Sequence, residues 1–103
     1  MNKTNQLLTA ILEKVDKIRW SITEDFQDSR SFKGLAGLNI AFFVTEGESD
    51  GLYPSKLYLV YPIHNHPQEV GPVDANFFNA VVLAHSKQLD ATLYDVYKAL
   101  EKL

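Results

Sequence analysis

Apolar residues recur along this chain at two spacings. Near the start, Leu7, Leu8, Ile11, Leu12, Val15 and Ile18 stand three and four apart, which places them on one stripe of a helix. A helix is predicted over residues 4–19, with Thr4 or Asn5 as its cap. Glu13 and Lys17 form an i,i+4 pair of opposite charge on the polar side. From residue 20 the period shortens. Trp20, Ile22 and Phe26 alternate with Ser21, Thr23, Asp25 and Gln27, with Glu24 as the exception, a pattern that predicts a short edge strand. Residues 28–37 are largely polar and carry Gly34 and Gly37, so they read as a connection.

Period two returns over residues 38–45. Leu38, Ile40, Phe42 and Val44 share one face, and Asn39, Ala41, Phe43 and Thr45 the other. Residues 46–51 are polar and glycine-bearing and predict a turn. In residues 56–63, Leu57, Leu59, Tyr61 and Ile63 share a face opposite Tyr58 and Val60. Two such segments around a turn form an antiparallel hairpin spanning residues 38–63. Pro62 ends it, since proline brings no ladder donor.

A loop, HNHPQEVGP, follows, and Asp74 then caps a second helix, with Val73 and Phe78 placed as a hydrophobic staple. Its apolar side is Phe77, Phe78, Val81, Val82 and Ala84, with His85 at the edge as a half-buried histidine. Leu89, Asp90 and Tyr94 repeat the same cap-and-staple arrangement, so a third helix is predicted, with Leu93, Val96, Tyr97, Leu100 and Leu103 at helical spacing. The order gives an α+β fold in a single domain, residues 1–103. A small antiparallel sheet of two or three strands has an N-terminal helix and two C-terminal helices packed mainly on one face.

Composition narrows the function. The 103 residues hold 46% hydrophobic and 22% charged side chains with a net charge of -3, a globular balance that argues against a general nucleic-acid binder. The absence of cysteine rules out disulfides, thiolate metal sites and a cysteine nucleophile. No apolar run reaches membrane-spanning length, and a cytoplasmic setting is expected.

Both faces of the predicted hairpin are apolar, and helices on one side leave the other to be covered. Phe43, Tyr53, Tyr58 and Val60 are therefore the candidate interaction surface. The expected function is a small non-catalytic protein-interaction or regulatory domain that self-associates as a homodimer or takes a protein partner. No cofactor and no membrane are implied.

Two other readings compete. His64 and His66 stand two apart before Pro67, and Asp74 follows; bent around one ion, the three supply the ligands of an open zinc site. Glu46 or Glu48 is then available as a general base. The His-Asn-His-Pro run resembles the metal-binding signature of the JAMM-type metallopeptidases. That resemblance implies a metal-dependent hydrolase with His64, His66 and Asp74 as ligands. It covers about a dozen residues, lacks the serine that the signature places before the aspartate, and has Asp74 sooner than the pattern does. The second rival is a helix-turn-helix over residues 80–100, turning at residues 88–91. Its second helix carries Asp90, Asp95 and Glu101 against Lys98 and Lys102, the wrong balance for a DNA groove.

Overall fold

A computed structural model describes residues 2–24, 26, 30–47 and 54–103. The elements run α1 (Lys3–Glu13), β1 (Arg19–Thr23), β2 (Ser31–Ala36), β3 (Ile40–Thr45), β4 (Lys56–Val60), β5 (Gln68–Pro72) and α2 (Ala75–Glu101). The five strands form one antiparallel sheet in sequence order, β1-β2-β3-β4-β5. The α+β class stands, but with five strands where two or three are predicted and two helices where three are predicted.

The predicted hairpin is the β3–β4 pair, in which Phe42 opposes Leu59 and Val44 opposes Leu57. The alternation of residues 38–45 places Phe42 and Val44 in the core as expected. Leu38, predicted with them, lies in the β2–β3 turn and is 97% exposed. That turn opens on Gly37 at φ +71°, a conformation that a side chain disfavours. β4 stops at Val60, so Tyr61 and Ile63, expected on the strand, are exposed.

Two strands lie where sequence reading places connections. Residues 31–36 form β2, and the reason Gly34 belongs to a strand is Trp20. The two are directly opposed across β1 and β2. A Cβ on Gly34 would meet the indole at 2.5 Å and Ile18 at 2.8 Å, so the glycine makes room for a ring on its neighbour. Residues 68–72, expected in the loop, form β5, which pairs with β4 across a register shift between Leu57 and Tyr58. β5 is the sheet's edge, where its terminal Pro72 can be tolerated.

α1 is capped by Asn2, whose side chain accepts from the Asn5 N–H at 2.8 Å, and it ends at Glu13 rather than reaching residue 19. The chain loosens there because the Val15 carbonyl accepts from the Trp20 indole N–H at 2.9 Å. The turn carries Ile18 and Trp20 into the core. Glu13 and Lys17 therefore do not share a helix.

α2 begins as predicted. Asp74 accepts from the Phe77 N–H at 2.8 Å, Val73 is buried and Phe78 packs against the same core. It then runs unbroken for 27 residues, through the predicted turn and past Asp90. The residues of the supposed turn, Gln88, Leu89, Asp90 and Ala91, have no helix breaker among them, and the helix simply continues.

One core joins these pieces. Phe32, Phe42, Val44 and Leu57 from the sheet meet Ile11 of α1 and Phe77, Val81 and Ala84 of α2. Val44, Leu57 and Val81 are wholly buried.

Candidate functional site

The second face of the sheet carries the predicted interaction residues. Lys33, Phe43, Tyr58 and Glu69 lie in one row across β2 to β5. Phe43 and Tyr58 are half-buried because Phe26, just past β1, folds over them. Its ring stacks on Phe43 at a centroid distance of 4.3 Å and meets Tyr58 edge-on at 4.9 Å, both favourable aromatic geometries. Lys33 Nζ lies 5.8 Å from the centre of the Phe43 ring. Val60, expected on the exposed surface, is 4% exposed and opposes the buried Ala41. Tyr53 lies outside the described residues. At the margin of the face, Lys56 and Glu69 pair at 3.0 Å across β4 and β5. The hydrogen bond and the charge of Glu69 raise the Lys56 pKa above its ordinary 10.5.

His64 and His66 are exposed in the β4–β5 connection, and the Asp74 carboxylate is engaged in capping α2. Among the described residues no group of three or more histidine, aspartate or glutamate side chains is placed to hold one ion. Glu48 lies outside the described residues. The helix-turn-helix has no turn to stand on, since residues 88–91 are interior to α2. His85 is half-buried with its ring 5.5 Å from that of Phe32, edge to face.

The surface that sequence reading missed is the far half of α2. Gln88 is the last residue that ties the helix to the sheet. Its side chain accepts from the Trp20 backbone N–H at 2.9 Å and donates to the Ile18 carbonyl at 2.7 Å. Beyond it every residue is exposed. Leu89, Leu93, Val96, Leu100 and Leu103 keep their helical stripe but stand 48%, 56%, 51%, 61% and 97% exposed. A helix of 27 residues is about 40 Å long at ~1.5 Å per residue, against roughly 17–20 Å for strands of this length. Roughly half of it has no sheet beneath. Length was the available signal, and the prediction of two separate helices hid it.

Two hollows flank this helix. One, of about 520 Å³, opens between β1 and α2 beside Ile22, Gln88 and Leu89. Another, of about 550 Å³, lies between α1 and the start of α2. Among the described residues the buried polar side chains are Ser31 and Thr45. No described helix is long and apolar enough to cross a membrane. Comparison with family models, with curated proteins and with solved structures finds no match to this chain.

Proposed function

We propose that the chain is a small, non-catalytic, cytoplasmic protein-interaction domain that pairs with a second copy of itself. One observation carries the reading: α2 continues past Gln88 with an apolar stripe whose residues all stand exposed. A free helical stretch this short is marginal in water by itself. A contiguous apolar strip on a small chain is characteristic of a protein contact. The Phe26, Phe43 and Tyr58 rings form a second, half-buried apolar cluster on the opposite face of the sheet.

Sedimentation velocity from about 1 to 200 µM tests the reading, since a contact of modest size falls in the micromolar range. The expected result is a shift from monomer to dimer across that range. A monomer at every concentration overturns it.

A further inference from the structure

We infer that two copies pair through an antiparallel coiled coil of the free half of α2, with Leu89 of each chain opposite Leu100 of the other. This rests on the self-association reading and specifies its surface and geometry.

The exposed residues have the spacing such a contact needs. Leu89, Leu93, Val96, Leu100 and Leu103 follow one another at intervals of four, three, four and three, the a/d seam of a heptad repeat. One heptad back from Leu89 the same side carries Val82, which is 36% exposed, with Ser86 at the seam position between them. Tyr94 lies off this seam and already has Lys98 over its ring at 5.4 Å. Position d holds Leu89, Val96 and Leu103, and position a holds Leu93 and Leu100. All are aliphatic, with no buried polar group to satisfy.

Charge selects both the partner and the direction. Residues 89–96 carry Asp90 and Asp95 and no base, whereas residues 97–103 carry Lys98 and Lys102 against Glu101. Two parallel copies would set acid beside acid. Antiparallel copies set the acidic half of each against the basic half of the other, at the ~8–10 Å between packed helix axes, within about one screening length. The helix dipoles favour the same direction. It also keeps the two sheets at opposite ends of the pair, because each helix leaves its sheet at Gln88.

The register follows from filling the seam. Setting Leu93 level with Val96 of the partner subunit brings Leu89 opposite the partner's Leu100, and Lys98 beside Asp90 of the partner subunit. Leu103 then meets Ser86 of the partner subunit. A shift of one heptad in one sense leaves Leu89 without a partner, and in the other it sets Val96 against the partner's Ser86 and Leu103 against the partner's Asn79.

The area sets the strength. A fully buried aliphatic side chain corresponds to roughly 60–120 Å² at about 25 cal/mol per Å². At the exposures above, the five seam residues and the flanking Tyr97 offer on the order of 400 Å² per copy. The total, about 800 Å², belongs to weak, reversible contacts, so the dimer forms and parts with concentration.

Three measurements decide it. First, Leu93→Glu with Leu100→Glu should weaken dimerisation more than about ten-fold and leave the circular dichroism and melting of the monomer unchanged. A dimer that survives this change overturns the seam while leaving self-association intact. A wild-type chain that never dimerises removes both. Second, the chain has no cysteine of its own, so single introduced thiols report direction. Leu89→Cys mixed with Leu100→Cys should form the mixed disulfide under mild oxidation, because opposed seam positions lie within bonding reach. Third, Leu100→Cys alone should not cross-link. Rapid cross-linking of Leu100→Cys with itself shows a parallel pair and overturns the geometry.

Discussion

The two halves of α2 are chemically alike and physically different. Residues 75–88 carry an apolar stripe, and so do residues 89–103, at the same spacing and with the same kinds of side chain. In the first half Phe77, Val81 and Ala84 are 3%, 0% and 2% exposed against the sheet. In the second half every residue is exposed. Gln88 divides them, with its two hydrogen bonds to the chain around β1. An amphipathic stripe states which side of a helix avoids water. The outer stripe lies on another side: at about 3.6 residues per turn it is turned roughly 110° from the Phe77, Val81 and Ala84 face, and Val82, on the same side within the packed half, is already 36% exposed.

The contrast predicts unequal costs for similar truncations. Phe77→Ala should destabilise the fold by about 3–5 kcal/mol, as buried aromatic deletions do. Leu93→Ala, in dilute monomer, should change stability by no more than about 0.5 kcal/mol. Urea denaturation of both variants measures this, and equal losses would mean that the far half is packed after all.

Gln88→Ala should cost about 2 kcal/mol, because the Trp20 N–H and Ile18 carbonyl, both part-buried, lose their partner. Amide exchange should then speed up in the last turns before residue 88 and show the boundary of the packed half moving toward the N-terminus. An unchanged exchange pattern would deny Gln88 its tethering role.

Gly34→Ala should cost about 1–2 kcal/mol through overpacking, since the added carbon would press on the Trp20 ring at 2.5 Å. The single tryptophan makes fluorescence a direct reporter, and an unshifted emission with unchanged stability would contradict the close approach.

The smallest effect concerns the sheet margin, remote from the helix. Glu69 raises the Lys56 pKa, so the pair's stabilisation is complete below the ordinary lysine value of 10.5. It is lost as pH rises through the raised value. Glu69→Gln should return the Lys56 titration, followed by NMR, toward the ordinary value, with little change in melting near neutral pH. A titration unmoved by Glu69→Gln would assign the shift to another neighbour.

Local signals were legible wherever one segment settles its own conformation. The Asp74 cap, the alternation that buries Phe42 and Val44, and the stop of β4 before Pro62 all depend on neighbours within a few residues. The helix stripes were readable for the same reason, down to the spacing of Leu89, Leu93, Val96, Leu100 and Leu103. The candidate site was less legible. Phe43 and Tyr58 were placed on the outer face, but the ring that covers them, Phe26, comes from a segment beyond β1.

What the chain alone determined, then, is which face of each segment is apolar and where several of them begin and end, because those follow from periodicity and short-range hydrogen bonding. Tertiary structure decided the rest. β2 is held between β1 and β3, with Gly34 leaving the space that Trp20 fills, and β5 pairs along the far side of β4. α2 stays whole because no residue at 88–91 breaks it, and its outer stripe stays bare because it is turned away from the sheet that covers Phe77, Val81 and Ala84. Each is a relation between segments distant in sequence, and their distance is fixed only when the chain has folded.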